Sequence, residues 1–355
     1  MILGDYEGAI DIWEQAKQAL ISRRNTEITT ETADLETAIL IDNFLSLGYQ
    51  EMGDLEKAEV AIASAAKLLE QQELNRDLVA KVHNTQANLH LKQDNPQAAA
   101  LNFRAAKELY IKNKDTEGEV GAAINEAIAL QKLGQYRTAQ KILEKTELNL
   151  TSLPKNIQAA AYKALGTTYA TIGEFTAAKE KLETSIALTQ DTDLEATAKT
   201  KIDLAATLQF AEPETAIELL QNVASSSQNR ETQAIAILNS IDIHIEAQDW
   251  LQAKEIAVNS QDSIFNLSHN HFAKIDLIQK MALIESHLGS LSSAPLHQSW
   301  LSSLKLFASK PNVLTGLKQK SCPNKAQTGF ISCEYVIILV EPLNKTIRHS
   351  GTKCL

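Results

Sequence analysis

Apolar and small residues recur along most of this chain at the three- and four-residue spacing of one helix face. Before Gly173 this face consists of Tyr162, Leu165, Gly166, Tyr169 and Ile172, and after it of Ala178, Leu182, Ile186 and Thr189. The spacing predicts two amphipathic α-helices joined by a tight turn. The same arrangement surrounds Gly53, with Leu45, Ser46, Tyr49 and Met52 before it and Ala58, Ile62, Ala65 and Leu69 after it.

The predicted turn carries a six-residue pattern that recurs through the chain. Each copy begins with a small or polar residue, often continues with an acidic one, and ends in alanine. The copies are GDYEGA (Gly4–Ala9), GDLEKA (Gly53–Ala58), QDNPQA (Gln93–Ala98), GQYRTA (Gly134–Ala139), GEFTAA (Gly173–Ala178), AEPETA (Ala211–Ala216), QDWLQA (Gln248–Ala253) and GSLSSA (Gly289–Ala294). From Gly53 onward the steps are 40, 41, 39, 38, 37 and 41 residues. Because the spacing between successive copies varies so little, the sequence predicts an array of repeated helix pairs.

Both small residues of the pattern have a steric explanation. Glycine tolerates left-handed backbone geometry, so we expect it to end the first helix of each pair. The alanine five residues later is expected where the two helices cross, because a larger side chain would push them apart.

These residues resemble the tetratricopeptide repeat (TPR) family. That family has a small residue seven positions before the turn glycine and an aromatic residue four positions before it. Gly166 and Tyr169 match, as do Ser46 and Tyr49, and Ala127 fills the small position of the fourth unit. Leu204 and Ile241 depart from the pattern in the sixth and seventh units. The resemblance implies an all-α, right-handed superhelical solenoid of about seven antiparallel helix pairs, with a period longer than the usual 34 residues.

The resemblance covers about residues 1–305, which we take as the repeat array. The first unit begins at its turn, so Ile10, Trp13 and Leu20 are expected to pack only on the next unit. After about Lys310 the helical pattern stops, and residues 306–355 contain the short apolar run YVIILV at Tyr335–Val340. We interpret this tail as a fragment of a following region or an unstructured extension.

Several stretches are also similar to the N-terminal repeats of cyanobacterial CHAT-domain proteins. They are GDYEGAIDIWEQAKQAL, GYQEMGDLEKAEVAIASAAKLL, LVAKVHNTQANLHLKQDN and EGEVGAAINEAIALQKLGQYRTAQKILEK. In that family the repeats precede a caspase-like peptidase domain with a His–Cys pair. The resemblance implies that this chain contains the regulatory repeat part alone.

Composition narrows the classes of partner. The net charge is −10, of which residues 321–355 contribute +2 and the remainder −12, so nucleic acid is not an expected partner. All three cysteines lie in the last 35 residues. The N-terminus does not have the basic and then apolar pattern of a signal peptide, and no apolar run is long enough to span a bilayer. We therefore expect a cytoplasmic protein without a membrane partner.

No set of residues predicts catalysis or a cofactor. His349 and Cys354 are too close in sequence for a caspase-like dyad, which requires residues at the ends of neighbouring strands. His269 and His271 would point about 200° apart on a helix, so surface histidines are favoured over a metal site. The tryptophans Trp13, Trp250 and Trp300 are interpreted as packing residues. We expect no enzyme activity, no metal, no cofactor and no small-molecule substrate.

The predicted functional surface is the concave face formed by the first helices, which in the TPR family holds a peptide of a partner. The residues ten, six and three positions before each turn, with two neighbours, are Asn43, Leu47, Gln50, His83, Asn84, Ala87, His90, Ile124, Asn125, Ile128, Gln131, Lys163 and Thr167. Amide, imidazole and small apolar groups suit hydrogen bonding to a peptide backbone. The Lys-plus-Asn clamp that binds acidic C-termini does not occur in register.

Three hypotheses remain open at this point. The chain is an interaction scaffold that binds a protein or peptide, or it is the regulatory part of a CHAT peptidase whose catalytic domain lies outside it. The third hypothesis, an enzyme, would require convergent polar groups that the sequence does not contain.

Overall fold

The computed structural model describes residues 6–26, 32–70, 75–267 and 271–288. These residues form fourteen α-helices and one short 3₁₀ helix, without a β-strand in the described part. The chain divides into two compact units between Gln228 and Asn229.

In unit 1 the helices alternate between two roles, which we call A and B for the first and second helix of each pair. The A helices are α2 (Thr32–Met52), α4 (Arg76–Lys92), α6 (Thr116–Lys132), α8 (Lys155–Thr171) and α10 (Leu194–Leu208). The B helices are α1 (Tyr6–Thr26), α3 (Leu55–Leu69), α5 (Pro96–Asn113), α7 (Tyr136–Glu147), α9 (Phe175–Thr189) and α11 (Pro213–Ser226), and the 3₁₀ helix spans Leu150–Ser152. Each helix packs against the next one along the chain. The predicted all-α array of helix pairs is thus confirmed over the described residues.

Unit 2 has the same organisation in three helices. They are α12 (Arg230–Glu246), α13 (Trp250–Phe265) and α14 (His271–His287), and each packs against the other two. Their shared core contains Ile241, Ile264 and Leu277, all fully buried.

A left-handed residue ends the A helix in most repeats, as the sequence predicts. Gly53, Gly134 and Gly173 have φ values of 77°, 73° and 85°. Asp94 and Gln248 occupy the same place with φ of 58°, although they carry side chains. An L-residue in this region costs roughly 1–2 kcal/mol relative to glycine, so these two turns are tolerated at some loss of stability.

The third repeat corrects the predicted register by one residue. Its left-handed residue is Asp94 and not Gln93, since Asn95 accepts a hydrogen bond from Ala98 N and Pro96 begins α5. The buried alanine of this repeat is therefore Ala99. Proline at the first helical position and asparagine at the N-cap together determine where α5 starts.

This correction moves three predicted site residues to other repeat positions. His83, Ala87 and His90 lie eleven, seven and four positions before the turn, rather than ten, six and three. Ala87 is thus the small residue of the TPR pattern, which explains why it is fully buried. The positions ten, six and three before Asp94 are held by Asn84, Asn88 and Leu91.

The sixth repeat also differs from the prediction. No left-handed residue occurs between α10 and α11, and the burial pattern of α10 matches that of α8 when Ala205 is aligned with Gly166. Ala205 is therefore the small residue that the sequence placed at Leu204. In the seventh repeat Ile241 does replace the small residue and is fully buried.

Small residues bring the A and B helices into close contact. The repeat alanines are all fully buried, and they are Ala58, Ala99, Ala139, Ala178, Ala216 and Ala253. In the fifth repeat Gly166 is so close to α9 that an added Cβ would lie 2.6 Å from Leu182 Cγ and 3.1 Å from Ala178 O. The helix crossing therefore leaves no room for a methyl group.

Helix α1 packs on the next repeat, as predicted. Ile10 forms a buried cluster with Ile41, Leu45 and Ala61, and Trp13 and Leu20 pack against this cluster. The Trp13 ring also stacks on Phe44 with a centroid distance of 5.5 Å.

Other predictions fall partly outside the described residues. Trp250 packs against the core of unit 2, whereas Trp300 lies outside the described residues. The same holds for the tail 306–355, for His349 and Cys354, and for His269 and the side chain of His271.

We predict opposite effects for two glycine-to-alanine substitutions in A helices. Gly166→Ala should lower the urea midpoint of unfolding, because overpacking costs about 1–3 kcal/mol and exceeds the helix-propensity gain of about 0.5–1 kcal/mol. The matched control is Gly121→Ala, where an added Cβ has nothing within 4 Å, so its midpoint should rise. Equal shifts of the two midpoints would contradict the close helix crossing at Gly166.

Candidate functional site

The structure divides the predicted binding residues into two groups by exposure. Four of them are buried, namely Asn43, Gln50, Ala87 and Ile124. The others are partly exposed, namely Leu47, His83, Asn84, His90, Asn125, Ile128, Gln131, Lys163 and Thr167. All lie on the A helices of unit 1, and we call the surface formed by these helices the A-helix face.

A glutamine three positions before the turn connects neighbouring A helices at two steps. Gln50 Nε2 donates to the carbonyl oxygen of Thr85 at 3.3 Å, which joins α2 to α4. Gln131 Nε2 donates to the carbonyl oxygen of Ala164 at 3.4 Å and to Thr168 Oγ1, which joins α6 to α8. Thr85 and Ala164 both lie nine positions before their own turns. The two glutamines therefore make equivalent cross-links between repeats.

An ion pair connects α8 to α10 at neighbouring positions. Lys163 Nζ lies 3.2 Å from Asp203 Oδ2. Burial raises the pKa of the Asp203 carboxyl above its ordinary value, and Lys163 opposes that rise without cancelling it. Both side chains are about two-thirds shielded from solvent, so the pair is held in a partly desolvated place on the A-helix face.

The step from α4 to α6 lacks these cross-links. Leu91 stands where Gln50 and Gln131 stand in their repeats, and its side chain packs against the apolar core. Asn84 and Asn125 hold the positions that Lys163 and Asp203 hold at the α8–α10 step. No hydrogen bond joins these two amides in the described structure, and none links their side chains to other described residues.

Asn88 completes this part of the surface. It lies one helical turn after Asn84 on α4, is partly exposed, and its amide also has no partner among the described residues. We call the region between α4 and α6 that is bordered by Asn84, Asn88, Leu91, Asn125 and Ile128 the amide seam. Each asparagine amide offers two donors and one acceptor there.

The histidines and the threonine of the predicted set make contacts within the protein. His83 Nδ1 lies 3.0 Å from Asn102 Oδ1 of α5, and His90 Nδ1 lies 3.3 Å from Gln93 Oε1. Thr167 Oγ1 donates to the carbonyl oxygen of Ala164 at 3.1 Å. His83 thus contacts the B helix of its own pair.

Asn43 of α2 differs from the other predicted binding residues because its side chain is buried and its amide oxygen is unpaired within the described residues. Its Oδ1 atom has no hydrogen-bond partner among the described residues, although the side chain is nearly completely buried. A buried unpaired amide oxygen costs about 1–3 kcal/mol. The preceding residue, Asp42, has Oδ1 2.6 Å from Lys17 Nζ.

Sequence reasoning missed Asn88, Leu91 and Asp203. The sequence pattern does not select Asn88 and Leu91, because it places the turn of the third repeat one residue too early. The dipeptide Asn95–Pro96 was the available signal, since asparagine is a preferred N-cap and proline a preferred first helical residue. The sequence pattern does not select Asp203, because the spacing from Ala205 to the buried Ala216 is one residue shorter than the spacing from Gly166 to Ala178 in the fifth repeat.

Metal and membrane features are absent from the part of the chain that the structure describes. No group of three or more His, Cys, Asp or Glu side chains within it could hold a metal ion. None of its helices is both long enough and apolar enough to cross a membrane.

Comparison with known proteins identifies the fold. The sequence matches no protein-family model and no curated protein. The apo form of the quorum sensor NprR from B. thuringiensis matches with a TM-score of 0.62 and 17% identity, over 86% of this chain and 89% of that chain. NprR in complex with its cognate peptide NprX matches with a TM-score of 0.52 and 12% identity, over 91% of both chains.

A third solved structure leads to the same result. A Rap protein complexed with competence and sporulation factor has a TM-score of 0.51 and 12% identity, over 80% of this chain and 97% of that chain. Identities this low show the fold alone, and the chain has a TPR-like fold. None of the comparisons shows a resemblance to CHAT-domain proteins, so that narrower resemblance stays a prediction.

The raised pKa of Asp203 leads to a prediction about pH. Because the folded pKa exceeds the unfolded one, ionisation of Asp203 opposes folding at pH 7, and this cost disappears as the pH falls through the folded pKa. Asp203→Asn should therefore raise the thermal midpoint at pH 7, and the gain should shrink toward pH 4.

Asp54→Asn is a control, because the pKa of Asp54 is shifted in the direction opposite to that of Asp203. Hydrogen bonds from Lys57 lower the pKa of Asp54, so its charge stabilises the fold above the unfolded pKa and this stabilisation is lost as the pH falls. Asparagine preserves the N-cap. If the gain in thermal midpoint from Asp203→Asn grew toward pH 4, this would contradict the conclusion that the desolvated carboxylate of Asp203 opposes folding.

Proposed function

We propose that this chain is a non-catalytic interaction scaffold that binds a polypeptide along the A-helix face of unit 1. The amide seam is the centre of the proposed site. The observation that carries the proposal is that the side chains of Asn84, Asn88 and Asn125 have no hydrogen-bond partner among the described residues. Of the steps between described A helices of unit 1, α4–α6 is the one where other residues replace both the glutamine cross-link and the ion pair.

Amide side chains at this spacing suit the backbone of an extended peptide. A peptide unit presents one donor and one acceptor, and an asparagine amide can pair with both at once. Asn84 and Asn88 lie one helical turn apart on α4, and Asn125 lies on α6, nine positions before its turn. Leu91 and Ile128 border the same region and offer apolar contact for a side chain of the ligand. Recognition would then depend mainly on the backbone and on few side chains.

Solved structures of similar fold support a peptide ligand. NprR is seen in complex with its cognate peptide NprX, and a Rap protein in complex with competence and sporulation factor. The TPR-like fold that this chain shares with them is compatible with the same class of ligand. The identity of the ligand is not carried over, because the resemblance is one of fold.

The CHAT-linked regulatory role is a narrower proposal that rests on the sequence resemblance alone. It would be supported by a His–Cys peptidase domain encoded directly after these repeats in the same protein or the neighbouring reading frame. A cytoplasmic location and the lack of nucleic-acid, membrane, cofactor and small-molecule partners also stay predictions.

The proposed site can be tested without knowing the natural partner. A display library of random peptides is selected on the full chain, and the affinity of a selected peptide is measured by calorimetry. The triple variant Asn84→Ala, Asn88→Ala, Asn125→Ala should weaken binding at least about tenfold, because each lost hydrogen-bonding group contributes about 0.5–1.5 kcal/mol.

The matched control replaces three exposed asparagines away from the amide seam. They are Asn113 at the end of α5, Asn149 before the 3₁₀ helix, and Asn259 on α13. Their alanine variants should leave the affinity unchanged. Equal loss in both triple variants, or selection of no peptide by a folded protein, would overturn the proposed site.

A further inference from the structure

A second surface lies on the B-helix side of unit 1, separate from the A-helix face. Helices α1 and α3 border a groove of about 990 Å³ whose floor is α2. Leu45 and Tyr49 of α2 line the floor, and Val60 of α3 stands at the rim with 71% of its surface exposed. This volume corresponds to about two turns of an α-helix with a diameter of about 10 Å. The groove is therefore large enough to seat part of a helix from another molecule.

A small residue on α3 keeps the groove open. Ala61 lies eight positions after Gly53 and lines the groove, whereas the residue eight positions after Gly173 is Lys181 of α9. The Lys181 side chain is mostly shielded from solvent and reaches across to α7, where its Nζ lies 2.9 Å from Glu147 Oε1. The space between α7 and α9 is thus crossed by a lysine of the chain itself, while the alanine leaves the equivalent space between α1 and α3 accessible.

The groove is lined by charged side chains of both signs. It contains the carboxylates of Asp11, Glu14 and Glu56 and the ammonium groups of Lys17 and Lys57. Whether the groove attracts cations or anions therefore depends on how these charges are paired.

Both lysines are engaged by carboxylates that lie beside the groove. Lys17 Nζ lies 2.6 Å from Asp42 Oδ1. Lys57 Nζ lies 3.1 Å from Asp54 Oδ2 and 5.3 Å from the centre of the Tyr49 ring. With these two carboxylates included, five negative charges stand against two positive ones, which gives a local net charge of −3.

The carboxylates that line the groove lack cationic partners in the described part of the chain. Glu14 accepts a hydrogen bond from Tyr49 Oη, and neither Asp11 nor Glu56 forms an ion pair with a described residue. Burial, the contact with Glu14 and the negative charges of Asp54 and Asp11 raise the pKa of Tyr49 to about 12. The negative potential therefore extends to the floor of the groove.

We propose that the groove between α1 and α3 binds an amphipathic helix of another protein that carries lysine or arginine beside its apolar face. Apolar side chains of that helix would contact Val60, Leu45 and the Tyr49 ring, and its cations would lie against Asp11 and Glu56. Apolar contact supplies most of the affinity in this mode of recognition, and complementary charges add orientation and a faster encounter. The proposal uses no residue of the amide seam and does not depend on the function proposed for it.

Three synthetic peptides test whether the groove selects for both charge and helix. The first has leucine and lysine at helical spacing, the second has the same residues in strict alternation, which favours a strand, and the third has glutamate in place of lysine at helical spacing. Fluorescence anisotropy of the labelled peptides measures their binding to the full chain. We expect saturable binding of the first peptide alone, and this binding should weaken as added salt screens the charges.

Photo-cross-linking locates the bound peptide on the protein. A photoreactive leucine analogue at the centre of the apolar face of the first peptide should link to α1 or α3 beside the groove, at Gln15, Gln18, Val60 or Ala61. Links chiefly to the amide seam or to unit 2 would overturn the proposal.

A substitution at the rim tests the groove with a matched control. Val60→Lys adds a cation and removes an exposed apolar side chain, so the affinity for the first peptide should fall at least about fivefold, the size of a close like-charge contact in water. Leu101→Lys makes the same change on α5, where Leu101 is 60% exposed and lies seven positions after Asp94, as Val60 lies seven positions after Gly53. This control should leave the affinity unchanged.

Removal of the groove carboxylates gives a second comparison. The double variant Asp11→Asn, Glu56→Gln should weaken binding about threefold to tenfold, because each exposed ion pair contributes modestly. The double variant Glu214→Gln, Glu218→Gln removes the same net charge from exposed positions of α11 and should leave the affinity unchanged.

Each comparison has an outcome that contradicts the proposal. Equal binding of the lysine and glutamate peptides would exclude charge complementarity, and equal binding of the alternating peptide would exclude a helical ligand. Equal loss in a groove variant and its control would exclude the groove as the site. A folded protein that shows no saturable binding of the first peptide would also overturn the proposal.

Discussion

The close crossing of two helices at small side chains is the constraint on which the repeats of unit 1 depend. Each B helix from α3 to α11 has a fully buried alanine near its start, and each A helix from α4 to α10 has a buried alanine or glycine at the facing position. At Gly166 an added methyl group would meet both Leu182 and the backbone of Ala178. Since one helix pair cannot bury its apolar face alone, this local geometry must be repeated so that neighbouring pairs can stack.

The repeated helix pairs place their A helices next to one another, but the side-chain contacts between successive A helices differ from step to step. Side chains of equivalent position make different connections at successive steps: a glutamine amide at α2–α4 and α6–α8, and an ion pair at α8–α10. At α4–α6 the corresponding side chains are Leu91, Asn84 and Asn125, and the two asparagine side chains make no hydrogen bond to any residue that the structure describes. Hydrogen-bonding groups that are not used between repeats are available to a ligand, which is why we locate the site at the amide seam.

Much of the fold could be predicted from the sequence because it depends on local rules. Helical spacing, the turn glycines at Gly53, Gly134 and Gly173, and the buried alanines all follow from short-range sterics. The errors arose where another residue took over the role of glycine. Asp94 adopts the left-handed conformation beside Asn95 and Pro96, whereas the sequence pattern places the turn of the third repeat one residue earlier, at Gln93. In the sixth repeat the spacing from Ala205 to the buried Ala216 is one residue shorter than in the fifth repeat, so the sequence pattern assigns Leu204 to the position that Ala205 holds.

The candidate site was less predictable because its function depends on partners across repeats. Gln50 and Gln131 have the chemistry of peptide-binding residues, but the structure uses their amides to join helices. Asn84 and Asn125 have the same chemistry, and their side chains are unpaired within the described part of the chain. Nothing in the local sequence of α4 or α6 distinguishes these cases, because the outcome depends on which residue the next A helix places opposite.

The measurement that tests the central claim most directly is NMR of the side-chain amides in protein labelled with ¹⁵N-asparagine, during titration with a peptide that the chain binds. The account predicts shifts of the NH₂ signals of Asn84, Asn88 and Asn125. The signals of Asn102 and Asn222, whose amides already contact His83 and Lys201, should stay in place. Unchanged signals at the three seam asparagines, with shifts elsewhere, would contradict the claim that the amide seam is the binding site.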